Sequence, residues 1–157
     1  EGSFGCVFLA YHYADDQIVA VKIFQKEKYD KKELDAGKLL YNEIQSIFVI
    51  KYPNYKDWQL FPILMMEYAN MMTLDIIAKQ PDIQLPTYTL RALMKQIFEG
   101  MRAFHSSGLV HRDIKCDNIL LHSPPGSGRV HVKISDFGFA KNLDLNNKQT
   151  YLAEFDQ

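Results

Sequence analysis

Apolar and polar positions change rhythm several times along this chain, and each change predicts an element. From Val7 to Tyr13 strand formers dominate, Ala14-Asp15-Asp16-Gln17 has turn chemistry, and Ile18 to Phe24 is a second apolar run, which together predict a β-hairpin. Lys26 to Lys38 is charged and mixed in sign, and reads as a solvated loop running into a helix. From Leu39 the pattern turns amphipathic, with Leu40, Ile44, Ile47 and Phe48 at helical spacing, and Tyr52-Pro53-Asn54-Tyr55 closes that helix with turn chemistry. Leu60-Phe61 and Ile63 to Met66 predict a strand pair broken at Pro62, and Thr73 to Lys79 a short helix. A longer helix follows Pro86, with Thr87 or Thr89 as its cap and Leu90, Leu93, Met94, Ile97, Phe98, Met101 and Phe104 as one core-facing stripe. Ser106-Ser107-Gly108 ends it. Leu109-Val110 and Ile119 to Leu121 then predict short buried strands on either side of a polar stretch. After the hairpin tip Pro124-Pro125-Gly126-Ser127-Gly128, Val130 to Ile134 alternates as a half-buried strand.

Composition narrows the class without changing this outline. The 157 residues carry a formal net charge of −1 and 47% apolar types, which suits a globular domain with a sizeable core. No tail of like charge calls for a nucleic acid or an acidic partner. Cys6 and Cys116 are far apart and lack CxxC spacing, so neither a disulfide framework nor a zinc site is indicated, and a reducing, cytoplasmic setting is expected. No window reaches the apolar length of a transmembrane helix and no signal peptide is visible. Oligomeric state is not legible.

The polar stretch between the two short strands is where chemistry concentrates. His111-Arg112-Asp113-Ile114-Lys115-Cys116-Asp117-Asn118 packs two acids, an amide and three basic groups into eight residues, and Ser135-Asp136-Phe137-Gly138 follows a short strand later. The order H-R-D-x-K-x-x-N, then D-F-G, resembles the catalytic and metal-binding loops of eukaryotic protein kinases. Glu1-Gly2-Ser3-Phe4-Gly5-Cys6-Val7 resembles the second half of that family's glycine-rich nucleotide loop, and Val19-Ala20-Val21-Lys22 its phosphate-binding lysine strand. The chain starts inside this motif and without a methionine, so its natural N-terminus is expected upstream.

The resemblance implies an α+β, protein kinase-like two-lobe fold with a truncated C-lobe: an N-lobe of sheet plus helix over residues 1–66, then the hinge and a partial C-lobe over 67–157. It implies ATP and Mg2+ as cofactors and a protein substrate. Asp113 would accept the proton of the substrate hydroxyl, Lys115 would meet the transferring phosphate, and Asn118 and Asp136 would hold magnesium. Lys22 would bind the α- and β-phosphates and pair with a helix carboxylate. Glu43 is expected in that role ahead of Glu33, which lies in the charged, weakly periodic part. Gly2, Ser3, Phe4, Gly5, Val7, Ala20 and Leu120 would line the nucleotide, with Met66 at the gatekeeper position and the backbone of Glu67 and Ala69 at the hinge. Met71-Met72 and Thr73 depart from the family's usual glycines and ribose-binding acid. Lys115, two residues after Asp113, favours serine/threonine specificity. The alternatives are a nucleotide-binding pseudokinase or scaffold, and a small-molecule kinase. Residues 139–157 resemble the start of an activation segment that lacks the family's Ala-Pro-Glu proline, with Thr150, ahead of Tyr151, as the hydroxyl whose phosphate Arg112 would receive.

Overall fold

The first predicted hairpin forms as expected. In the computed structural model, which describes residues 5–25, 31–43, 46–58, 61–80, 82 and 84–142, β1 (Gly5–His12) pairs antiparallel with β2 (Gln17–Phe24), from Gly5 opposite Phe24 to His12 opposite Gln17. β3 (Asn54–Trp58) and β4 (Phe61–Glu67) complete a four-stranded sheet in the order β1-β2-β4-β3. Here the expectation fails twice. Asn54–Trp58 is a strand where turn chemistry was read, and Pro62 does not break β4. The pairing with β2 stops at Ile63, so Pro62 has a strand neighbour only on its β3 side, opposite Asp57. A missing N–H is tolerated where one ladder is absent.

The charged run also holds a surprise. α1 (Lys31–Glu43) begins eight residues before the amphipathic pattern does, and its buried positions are Glu33, Leu34, Ala36, Gly37 and Leu40. An acid and two small residues make up three of these five positions, so the face does not register as an apolar stripe. Gly37 is required by its neighbour: a Cβ there would sit 1.9 Å from the buried Tyr52 ring.

Beyond the sheet, α2 (Leu74–Ala78) is short, and α3 (Thr87–Ser106) runs its full expected length. Pro86 takes the N-cap position of α3 without a side-chain bond, so neither threonine caps it. Its stripe splits. Leu93, Ile97 and Phe104 are buried and Met101 partly so, whereas Leu90, Met94 and Phe98 are exposed. The stripe is wider than the face that packs against β5 (Leu109–Val110) and β7 (His131–Ile134). β5 pairs with β8 (Lys141–Asn142), and β6 (Ile119–His122) pairs with β7 from Ile119 opposite Ile134 to His122 opposite His131. No helix among the described residues is long and apolar enough to cross a membrane.

Two seams join the sheet to the β6–β7 ribbon. The segment after α1 runs parallel to β7, with Ile134 N–H donating to Phe48 O and Ile50 N–H to Ile134 O. The chain leaving β4 crosses β6, with Met71 N–H donating to Leu121 O and Leu121 N–H to Met72 O. One continuous core results, from Phe24, Leu34 and Leu64 through Tyr52 and Phe137 to Phe104 and Ile134. Each such side chain contributes about 1.5–3 kcal/mol on burial.

Candidate active site

The register of the sheet decides which side chains share a face. Directly opposite residues in an antiparallel pair point the same way. Val7 lies opposite Lys22, Ala20 opposite Met66, and Lys22 also opposite Leu64. Val7, Ala20, Lys22 and Met66 therefore line one surface, as a nucleotide-facing wall requires. Gly5 opens β1 at the end of this surface, while Gly2, Ser3 and Phe4 lie outside the described residues. Glu67 ends β4, and Tyr68 and Ala69 follow outside any helix or strand.

Lys22 does meet a helix carboxylate, but the residue is Glu33. Lys22 Nζ stands 2.7 and 2.8 Å from the Glu33 oxygens and 3.9 Å from Asp136 Oδ1. The expectation of Glu43 is thus corrected; Glu43 is the last residue of α1, and its side chain lies outside the described residues. The correction has a physical reason. α1 starts within the charged run, so Glu33 falls in its first turn and faces inward with Leu34 and Gly37. Glu33 is only 4% exposed and also accepts a hydrogen bond from Tyr52 Oη at 3.3 Å. Burial raises its pKa above the ordinary carboxylate value of 4.5, against the charge and hydrogen bond of Lys22, which lower it. Tyr52 itself is pushed well above the usual phenol range, chiefly by burial and then by the Glu33 charge.

The β6–β7 ribbon explains how Asn118 and Asp136 come together across 18 positions. Ile119 opposes Ile134, so Asn118 and Ser135-Asp136 are the flanking residues at one end of the ribbon. Ser135 N–H donates to Asn118 O at 2.9 Å and Ser135 Oγ to the same oxygen at 3.1 Å. Asn118 Nδ2 then donates to Asp113 Oδ2 at 2.8 Å and to Asp113 O at 2.9 Å. With Nδ2 committed to Asp113, the amide presents its carbonyl oxygen, the atom a hard cation prefers. Lys115 Nζ is 2.9 Å from Asp113 Oδ2. Hydrogen bonds from Lys115 first, and from Asn118, hold the Asp113 carboxyl below its ordinary range against a partial desolvation. Asp113 is therefore a carboxylate at neutral pH. Leu120, opposite Lys133 on β6, bridges to Thr73.

His111 and Phe137 anchor the two loops from beneath. Both are fully buried. Asp113 N–H donates to His111 Nδ1 at 3.3 Å, which leaves Nε2 to donate to Ser135 O at 3.0 Å. That pattern needs the neutral ring, and burial lowers the pKa accordingly. Phe137 packs against Phe104 at 5.3 Å, Tyr52 at 5.0 Å and the edge of His111 at 5.9 Å. Arg112 Nε donates to Phe139 O at 2.8 Å; Thr150 and Tyr151 lie outside the described residues. Arg112 and Asp136 hold left-handed backbones, with φ of 65° and 66°.

Chemically, the arrangement sets a carboxylate, a lysine and two candidate oxygen ligands at one end of a ribbon, with a second lysine reaching toward Asp136 from the sheet. No three His, Cys, Asp or Glu side chains among the described residues converge as a ready cation cage. Two oxygen donors with phosphates and water completing the shell is how magnesium is usually held. Sequence reasoning ranked Glu33 behind Glu43 and missed Tyr52 and Lys133. Only the inward register of α1, invisible in a run of charges, would have exposed Glu33 and Tyr52; Lys133 stood in a strand whose alternation was legible.

The comparisons agree with this geometry. The family model described as protein kinase domain matches residues 1–155. The human serine/threonine-protein kinase ULK1 is 33% identical over 154 residues, which cover 93% of this chain and 14% of that protein. The chain thus spans a minor part of the relative's length.

Proposed function

The chain belongs to the protein kinase family, and we propose that the protein it forms part of transfers the γ-phosphoryl group of ATP to serine and threonine hydroxyls of protein substrates. The observation that carries this reading is the Asp113 cluster. One carboxylate, kept ionised by Lys115 at 2.9 Å and Asn118 at 2.8 Å, lies beside the candidate metal ligands. Phosphoryl transfer asks a protein for positioning and charge stabilisation more than for covalent chemistry. Asp113 would orient the substrate hydroxyl and take its proton. Lys115 would exchange part of its contact with Asp113 for the charge developing on the phosphoryl oxygens. Lys22, held by Glu33, would clamp the α- and β-phosphates, and the face of Val7, Ala20 and Met66 would cover the adenine. Asn118 and Asp136 would hold Mg2+, which neutralises phosphate charge when bound. The lysine two residues after Asp113 and the likeness to a serine/threonine kinase support that substrate class.

The test is phosphate transfer from radiolabelled ATP by the full-length protein to peptides bearing serine, threonine or tyrosine. Incorporation into serine or threonine that requires magnesium and is lost in Asp113→Asn is the expected result. Nucleotide binding without any transfer would replace the enzyme with a nucleotide-binding scaffold.

A further inference from the structure

Lys133 takes no part in the chemistry above, yet it is a buried cation. It is 6% exposed, on β7, three residues before Asp136. A lysine rarely accepts burial unless an anion meets it. Its partner is Glu67, at 2.9 Å to both carboxylate oxygens, at the end of β4 where the chain turns toward Tyr68 and Ala69. Glu67 Oε1 also accepts the Lys51 N–H at 3.0 Å, and the Glu67 N–H donates to Lys51 O at 3.0 Å. Three chain segments therefore meet at one carboxylate: the exit of β4, the run after α1, and the ribbon strand that leads to Asp136. Beside them, burial first and the Lys133 charge next hold His122 below its ordinary pKa, so at neutral pH its ring adds no charge beside Glu67.

The far end of the same segment is also pinned to the ribbon. Asn70 Nδ2 donates to Ser123 O and Ser123 N–H to Asn70 Oδ1, each at 2.8 Å, and Met71-Met72 bond across Leu121. Tyr68 and Ala69 are suspended between the two pins. The near pin is ionic and attaches to β7; the far one attaches to β6 and beyond. Asn118 and Asp136 flank the end of this ribbon next to Lys133, and Ser123 lies past its other end, so its strands link the segment that would face adenine to the groups that would hold the metal.

We propose that Lys133 is a positioning residue of the nucleotide site: its ion pair with Glu67 sets the distance between the adenine-facing backbone and the metal-holding end of the β6–β7 ribbon. The inference rests on the proposed ATP-dependent function. It implies that Lys133 matters for a ligand that spans both places and little for one that occupies only the adenine end. In the full-length protein, Lys133→Met should weaken binding of ATP with Mg2+ by about tenfold, or about 1.4 kcal/mol, and binding of adenosine by less than about threefold. Lys133→Arg, which keeps the charge, should bind both as the wild type does.

Calorimetric titration with each ligand reads this directly, and Lys133→Gln serves in the same way if the methionine variant does not fold. Equal affinity of wild type and Lys133→Met for ATP overturns the proposal. So does an equal loss for ATP and adenosine, which would make Lys133 a support of the hinge alone. A wild-type protein that binds no ATP overturns instead the proposed function on which the inference stands.

Discussion

Replacing Glu33 by glutamine separates the two tasks of the Lys22 pair. At 2.7 Å and an effective dielectric of about 20, the attraction is about 6 kcal/mol before desolvation. Desolvation nevertheless prevails at Glu33, whose pKa is raised. The charged pair therefore adds little to the fold. Glutamine removes the buried anion and leaves Lys22 with an amide oxygen and with Asp136 at 3.9 Å. We expect a stability loss of about 1–2 kcal/mol, below the roughly 3–5 kcal/mol of a fully stranded buried charge. Phosphate positioning should suffer more, with kcat/KM for ATP falling about 10²-fold, or about 2.7 kcal/mol.

The pH dependence gives an independent reading. Between 4.5 and its raised folded pKa, Glu33 binds a proton in the native state more than in the unfolded one. Its contribution to stability is thus present below 4.5 and lost as pH rises through the folded value. Activity should move oppositely, because Lys22 needs the ionised partner. Both slopes should vanish in Glu33→Gln. Thermal unfolding and initial rates of the full-length protein, from pH 4 to 8, measure them. Full activity in Glu33→Gln together with an inactive Glu43→Gln would refute the reasoning and give the pairing to Glu43.

Three further outcomes follow from the same contacts. Asp113→Asn should lower kcat by about 10²–10⁴-fold while ATP binding stays near wild type, and Asp136→Asn should weaken binding only when magnesium is present; rates and titrations of both variants check this. Gly37→Ala forces the Tyr52 ring off the helix, because the new Cβ would lie 1.9 Å from it. The clash should exceed the roughly 1 kcal/mol that alanine gains in a helix, for a net loss of about 1–2 kcal/mol in chemical unfolding. His111 is neutral and buried with a lowered pKa, so its contribution to stability is lost as pH falls below 6.5 toward the folded value. His111→Phe should flatten that part of the stability profile; an unchanged slope would assign it to another group, such as His122.

Local chemistry was more legible than long-range packing. His111 to Asn118 and Asp136 could be read directly because polar types were crowded into short segments with fixed order, and the β1–β2 hairpin because its alternation was clean. The partner of Lys22 was not legible, since α1 buries an acid and two small residues within a run of charges. β3 was hidden by Tyr52-Pro53-Asn54-Tyr55, where turn-forming residues open a strand. The α3 stripe showed helix and phase but not width, so it counted Leu90, Met94 and Phe98 as core. The Glu67–Lys133 contact joins residues 66 positions apart, and no periodicity reports such a pair.

Arg112 and Asp136 hold backbone angles that a glycine would adopt more easily. The conformational cost there is about 1–2 kcal/mol for most side chains, borne in full by Arg112 and in smaller part by Asp136, whose short polar side chain suits that region better. A glycine at either place would relax the backbone and remove the guanidinium or carboxylate. The two positions are therefore sites of antagonism between fitness as a fold and fitness as a catalyst. Glycine at 136 should give a protein that accumulates in the cell at least as well as wild type and transfers nothing. Surveys that score variants by abundance would record it as benign, and only a screen for phosphate transfer would reveal the defect.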